Sequence, residues 1–303
     1  MGKTDIHLHL MPATLSQNLI SPTGKQSFAS GKTPHPTGPM KISGSVDMIP
    51  HLHELGITKG VIMSMGMKGT EASRIAAGLA PDTYRWMCNL NDGELTTLEE
   101  VEAYFTRCRE QGAVGVGEFA INRWIDDPYI DMIFTAAENV GLPLLFHMSP
   151  EQGFNYGVAD QPGLPMLEKA LQRHPNLIII GHSQPFWHEI TGDAGQDLVS
   201  RNSWGEGPVT PGGRTVELLR KYPNLYGDLS ANSGGNAIMR DEAFGLAFLE
   251  EFQDRLMFGS DMTNTEMEFP LGRYLDKILA EGKISQQVYN KVCFENAARI
   301  LGV

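Results

Sequence analysis

Short apolar runs alternate along the chain with longer segments of mixed polarity. The runs are almost uninterrupted, as at 177–180 (LIII), which is typical of parallel strands covered on both faces. The pattern predicts eight strands, at about 4–10, 60–65, 84–90, 113–121, 143–149, 177–183, 225–231 and 256–262. It predicts helices between them, at about 45–56, 70–80, 97–111, 128–140, 163–174, 212–222, 240–253 and 267–281, and a helical cap near 284–301.

Eight strands that alternate with eight helices predict an α/β fold, the (β/α)8 TIM barrel. A doubly wound open sheet is the alternative, but it usually has fewer strands and the chain has no GxGxxG turn. The length of 303 residues suits one barrel domain over 1–303. Three long connections follow strand ends, at 11–44, 150–162 and 184–211, and we expect them to be lids over the site, with partial disorder as the alternative for the first.

Side chains that can bind a metal concentrate at the predicted C-terminal ends of five strands. They are His7 and His9 on strand one, Glu118 on strand four, His147 on strand five, His182 on strand six and Asp261 on strand eight. Residues i and i+2 of a strand point to the same side, so His7 and His9 can share one ion. One such histidine alone is more often an ordinary polar residue, but six ligands at one rim predict a site. Imidazole and carboxylate donors suit zinc first, and also manganese or iron.

Some of these side chains have a second interpretation. Asp261 could cap the following helix, although a metal site needs an anion there. Glu118 could orient a ligand histidine instead of binding an ion itself. Three further polar residues beside the site are candidates for substrate binding: Arg123, His188 and Asn232. Asn232 belongs to the run 230–236, which is either an anion-binding loop or a plain Gly-rich turn.

The composition and charge of the chain indicate which partners and which cellular compartment to expect. The net charge of −12 disfavours nucleic acid and anionic membranes as main partners. No run of about 18 apolar residues predicts a membrane span, and no signal peptide precedes Asp5. The three cysteines are an odd number, and no pair forms CxxC, which favours a reducing cytoplasm. We therefore expect a cytoplasmic protein that acts on a small molecule, with a homo-oligomer left open.

Nucleophilic catalysis and nucleotide binding find little support in the motifs. The chain has no GxSxG elbow, and no cysteine stands beside a candidate base. It also has no GxxxxGK[ST] loop for phosphates. The chemistry therefore rests on the predicted metal site.

The ligand pattern resembles that of the amidohydrolase superfamily. That superfamily carries HxH on strand one, histidines on strands five and six, and an aspartate on strand eight. The matching residues here are His7, His9, His147, His182 and Asp261. The resemblance spans the whole chain, and the branch that fits best is the amidohydrolase-related family, or amidohydrolase 2. Its members have about this length and tend to end in a segment like 296–301 (NAARIL).

That branch contains hydrolases and non-oxidative decarboxylases. Its decarboxylases, which resemble aminocarboxymuconate semialdehyde decarboxylase, hold one metal and usually lack an acid on strand four. This chain has Glu118 there, similar to the bridging acid of two-metal hydrolases such as TatD-like deoxyribonucleases and phosphotriesterase relatives. The resemblance therefore implies a hydrolase with one or two divalent ions that cleaves a small-molecule amide, ester or lactone by metal-activated water. It implies Asp261 as the proton carrier, and His182 as an acid/base group where only one ion binds.

Two other functions stay open. A metal-dependent non-oxidative decarboxylase of a small carboxylic acid would use His182 or Asp261 to bring a proton to carbon, and Arg123 to hold the carboxylate. A non-catalytic metal-binding barrel would keep the ion as a structural element. Structural zinc sites are closed, however, and this one is predicted to open onto long loops.

Overall fold

Eight parallel strands form a ring in the computed structural model, which describes residues 2–12 and 41–303. They are β1 (Lys3–Leu8), β2 (Ile57–Ile62), β3 (Tyr84–Cys88), β4 (Ala113–Phe119), β5 (Leu144–Ser149), β6 (Ile179–His182), β7 (Leu225–Asp228) and β8 (Leu256–Met257). Each strand pairs in parallel with the next one in this order. A further two-residue strand, Val158–Ala159, pairs with β5 beside the ring.

The ring is closed by backbone hydrogen bonds between the segment after β8 and the end of β1. The N–H of Asp261 donates to the carbonyl of His7 at 2.8 Å, and the N–H of His9 donates to that of Met262 at 3.0 Å. These bonds confirm the predicted (β/α)8 barrel. They also fix Asp261 beside the two histidines of β1.

Helices alternate with the strands on the outside. They are α1 (Ser45–Glu54), α2 (Gly66–Gly78), α3 (Leu98–Glu110), α4 (Pro128–Val140), α5 (Pro165–Arg173), α6 (Gln184–His188), α7 (Leu198–Arg201), α8 (Arg214–Lys221), α9 (Ala231–Met239), α10 (Glu242–Glu251), α11 (Leu271–Ala280), α12 (Gln286–Asn290) and α13 (Asn296–Leu301), with a π-helical turn at Lys291–Glu295. Among the described residues, no helix combines the length and the apolar character needed to cross a bilayer.

Local sequence signals account for several helix ends. Thr97 and Glu100 form a capping box at the start of α3, since each side chain accepts a hydrogen bond from the other residue's backbone N–H. Asp127 caps α4 by accepting from the N–H of Tyr129, and Gly141 ends that helix with a left-handed φ of 77°. These signals explain why α4 begins and ends where the sequence predicted.

A small apolar cluster fills the inside of the ring beneath the site. Its members come from seven of the eight strands and from α13: Ile6, Val61, Met63, Met87, Leu145, Ile180, Tyr226, Met257, Ala297 and Leu301. Leu145 and Ile180 each lie two residues before a predicted ligand, His147 and His182. Because alternate strand residues share a face, both histidines also point into the ring, one layer above this cluster.

Several connections contain regular structure of their own. The segment 184–211 contains α6 and α7, and 150–162 contains the strand Val158–Ala159. The run 230–236 is not a Gly-rich turn, because α9 begins at Ala231. Gly234 serves close packing there, since a Cβ would lie 2.5 Å from the backbone carbon of Leu229. In the first connection, residues 13–40 lie outside the described residues.

Candidate metal centre

The strand-one histidines and the strand-eight aspartate meet at the C-terminal end of the ring. The Nε2 atoms of His7 and His9 are 3.2 Å apart. Oδ1 of Asp261 lies 3.3 Å from Nε2 of His9 and 3.5 Å from Nε2 of His7. The ligand atoms of these three residues all lie within 4.8 Å of one another, a spacing that could hold one ion.

Glu118 lies between this group and the other two histidines. Its Oε2 is 3.3 Å from Nε2 of His9 and 3.7 Å from Nε2 of His7. Its Oε1 is 2.6 Å from Nδ1 of His147 and 3.7 Å from Nε2 of His182. Each oxygen of this carboxylate therefore faces a different pair of histidines. His7, Glu118 and His182 form a second group with ligand atoms within 4.8 Å.

Asp228, at the end of β7, holds two of these histidines from behind. Nδ1–H of His7 donates to its Oδ2 at 2.7 Å, and Nδ1–H of His182 lies 3.1 Å from the same oxygen. The carboxylate is fully buried. Since Nδ1–H is held by Asp228 in both rings, Nε2 is the atom of each ring that could bind an ion, once it has lost its own proton.

Ser230 completes this support. Its hydroxyl donates to Oδ2 of Asp228 at 2.7 Å and its N–H donates to Oδ1 at 2.9 Å. The hydroxyl oxygen is 3.0 Å from Nδ1 of His182. Neither Asp228 nor Ser230 was predicted to support the metal site. The signal was present, since Asp228 ends an apolar strand (LYGD) just as Asp261 follows one.

The electrostatics of the cluster favour a cation. Burial lowers the pKa of His9, but Asp261 and Glu118 outweigh it and raise that pKa to about 9. The same balance between burial and carboxylates raises the pKa of His7 well above its usual value. Burial alone would raise the pKa of Glu118, but His147 and its other histidine neighbours hold it well below the usual range.

The donors also fit a divalent ion by their chemistry. Four imidazoles and two carboxylates are the ligand types of zinc, manganese and iron sites. An ion would supply the positive charge that the histidines otherwise supply by taking up protons. The arrangement therefore fits a divalent metal, with the predicted ligands meeting at one place.

The three predicted substrate-binding residues lie in different surroundings. The guanidinium of Arg123 pairs with Asp92 at 2.8 Å and with Asp127 at 3.3 Å. Nε2 of His188 is 2.8 Å from the carbonyl of Gly195. His188 also lines a small cavity with other residues, among them Trp204 and Arg240. Asn232 lies in the first turn of α9, half-buried.

Three solved structures show how far the fold is shared. A probable 2-pyrone-4,6-dicarboxylic acid hydrolase from Acinetobacter baumannii, with citric acid bound, is 14% identical, with a TM-score of 0.61 over 100% of both chains. The 2,6-dihydroxybenzoate decarboxylase from Rhizobium is 16% identical, with a TM-score of 0.56 over 100% of this chain and 99% of that one. A 5-carboxyvanillate decarboxylase from Novosphingobium aromaticivorans, with bound manganese, is 16% identical, with a TM-score of 0.52 over 85% of this chain and 80% of that one.

The sequence itself matches a family, although no curated protein sequence matches it. The family model described as Amidohydrolase (Amidohydro_2) covers residues 4–303. That range includes every predicted ligand from His7 to Asp261. The resemblance predicted from those ligands is confirmed: the chain belongs to the Amidohydro_2 family of amidohydrolases.

Proposed function

We propose that the chain is a metal-dependent hydrolase that cleaves an amide, ester or lactone bond in a small molecule. The observation that carries this proposal is the position of Glu118, whose two oxygens face two different histidine pairs. A carboxylate placed in this way can be shared by two ions, an arrangement that hydrolases use to bind both the attacking and the leaving oxygen. The probable 2-pyrone-4,6-dicarboxylic acid hydrolase from Acinetobacter baumannii shares this fold.

Each chain residue has a definite place in this proposal. His7, His9 and Asp261 would hold one ion, His147 and His182 would hold the second, and Glu118 would be shared. Zinc is the first expectation, and manganese or iron suits the same donors. The bound ions supply Lewis acidity to the carbonyl group and lower the pKa of water.

Asp261 is the proposed proton carrier. Its side chain is 29% exposed, compared with 11% for Glu118 and 0% for Asp228, so it reaches furthest towards the open side of the site. Burial raises its pKa, but His7 and His9 outweigh that effect and keep the pKa below the usual value. The ionised carboxylate can take a proton from the attacking water and return it to the leaving group.

Non-oxidative decarboxylation is the second candidate. It is favoured by the fold of the two decarboxylases, one of which holds manganese. It needs a cation for the carboxylate of the substrate, and Arg123 was the predicted one. Because Arg123 already pairs with Asp92 and Asp127, it gives this function less support. A purely structural ion also finds less support, since Asp261 is partly exposed.

Glu118→Gln tests the shared carboxylate, because it keeps the shape and removes the charge. Ion-free wild type titrated with zinc in a calorimeter should show two sites, and the variant should show one and lose hydrolysis. Glu110→Gln is a matched control, because Glu110 is exposed at the end of α3 and precedes the start of β4, whereas Glu118 lies near the other end of that strand. One saturable site in both wild type and Glu118→Gln would refute the bridge.

Product analysis separates the two enzymatic candidates. A panel of esters, lactones and amides should release acid at a rate that depends on the added metal. The opposite result is release of carbon dioxide from a carboxylic acid substrate with no metal-dependent release of acid from the panel. That result would contradict the proposed hydrolysis and support decarboxylation.

A further inference from the structure

An aromatic ring lies against one side of the metal centre. The ring of Tyr156 is 4.1 Å from the imidazole of His147, centroid to centroid, at an angle of 37°. His147 in turn contacts Glu118 at the middle of the site. Tyr156 is nevertheless 44% exposed. The ring therefore lies against a proposed ligand, and part of the residue is accessible beside it.

The backbone that carries Tyr156 is tied to the barrel. The N–H of the next residue, Gly157, donates to the carbonyl of Ala120 at 2.9 Å, and its carbonyl accepts from Nδ2 of Asn122 at 2.8 Å. The strand Val158–Ala159 then pairs with the end of β5. Tyr156 is thus held by contacts to the ends of β4 and β5, the strands that carry Glu118 and His147.

Glycine is required directly beside the ring. Gly157 has a φ of +104°, and a Cβ there would lie 2.6 Å from the carbonyl oxygen of His147. The chain therefore packs directly on the ligand strand at this point. This close approach leaves Tyr156 over the imidazole instead of further out in solvent.

We propose that Tyr156 determines specificity by packing its ring against a planar, unsaturated part of the substrate. The inference rests on the proposed function, because it takes the metal centre as the place of reaction. Aromatic faces prefer offset stacking on other planar π-systems, and such pairs gain more than their buried area alone provides. A ring fixed beside a metal ligand can orient a planar substrate without paying the entropy of ordering a mobile loop.

Two carboxylic acids of equal charge and similar size test this role. Benzoate is planar, whereas cyclohexanecarboxylate is puckered and more apolar, so that burial alone would favour the second. Calorimetry on zinc-loaded wild type should show benzoate binding roughly 2- to 12-fold more tightly, the range that aromatic pairs provide. Tyr156→Phe should keep this preference, and Tyr156→Leu should abolish it while elemental analysis shows unchanged zinc content.

Three results would overturn the inference. The first is a wild type that shows no preference for benzoate or binds neither acid. The second is a preference for benzoate that persists in Tyr156→Leu. The third is a loss of zinc in Tyr156→Leu. The last result would make Tyr156 a support for His147 instead of a substrate contact. None of these measurements uses turnover. The proposed hydrolysis, judged by Glu118→Gln and by product analysis, can therefore fail or succeed independently.

Discussion

At the scale of the residue, strand periodicity predicted most of the centre. His7 and His9 were placed together because i and i+2 share a face, and the structure puts their Nε2 atoms 3.2 Å apart. Asp228 was missed, although an ionisable residue at the end of an apolar strand costs free energy unless it is paired. Its partners come from β1 and β6, and sequence spacing does not show which distant strands will meet.

Asp228→Asn is expected to weaken metal binding without removing a site. Asparagine offers one acceptor oxygen where the carboxylate accepts from His7, His182 and Ser230. The two imidazoles would lose part of their orientation, and the affinity for zinc should fall about 10- to 100-fold at unchanged stoichiometry. Calorimetric titration measures both quantities. Asp82→Asn, at an exposed position just before β3, is the control and should bind zinc like wild type.

Two outcomes would contradict this role for Asp228. Unchanged affinity in Asp228→Asn would mean that the hydrogen bonds to Nδ1 do not orient the imidazoles. Loss of a whole site would mean that Asp228 binds an ion itself instead of acting through His7 and His182.

At the scale of the element, the sequence predicted the strands better than the segments between them. Apolar runs mark buried strands because both faces of a parallel strand are covered. The glycines of α9 were interpreted as a possible turn. Gly234 is instead needed for close packing, because the backbone of Leu229 leaves no room for a Cβ. Sequence alone does not distinguish a glycine needed for close packing from one needed for a turn.

Gly157→Ala tests the close packing beneath Tyr156. The substitution places a Cβ 2.6 Å from the carbonyl of His147 in a left-handed backbone, and should lower the free energy of unfolding by about 2–4 kcal/mol. Gly153→Ala is the matched control, because its φ is +86° but no atom lies within 4 Å of the added Cβ. It should cost only the backbone strain, about 1–2 kcal/mol. Urea denaturation gives both values, and equal losses would show that packing on His147 is not tight.

At the scale of the whole molecule, the barrel was predictable and the substrate was not. Alternation of strands and helices determines the fold class because short connections allow few topologies. Closure between β8 and β1 follows once eight strands pair in order, and it brings Asp261 to the histidines of β1. In the proposed function, specificity depends on segments such as 150–162, whose positions follow from contacts like that of Tyr156 on His147. Such contacts have no signature in the sequence. The assignment of 1–303 to one domain remains a prediction.

Because the proposed ligands come from five strands around the ring, metal removal should destabilise the whole barrel. An ion that binds only the folded state stabilises it by about 2.7 kcal/mol at a free concentration 100-fold above Kd. For a chain of this size, that corresponds to a Tm lower by roughly 5 °C after chelation and dialysis. Thermal melts by circular dichroism, before chelation, after it and after zinc is restored, measure the effect and its reversal.

The double substitution His7→Ala and His9→Ala separates specific binding from general effects of zinc. It removes two ligands from one side of Glu118 but leaves the apolar cluster beneath the site intact. In this variant the second proposed site, formed by His147, His182 and Glu118, remains, so zinc and chelation should each change Tm by less than in the wild type. An equal response in both proteins would show that the ion acts elsewhere on the chain. If neither chelation nor added zinc changed the Tm of the wild type, folding would not be coupled to a metal at this site.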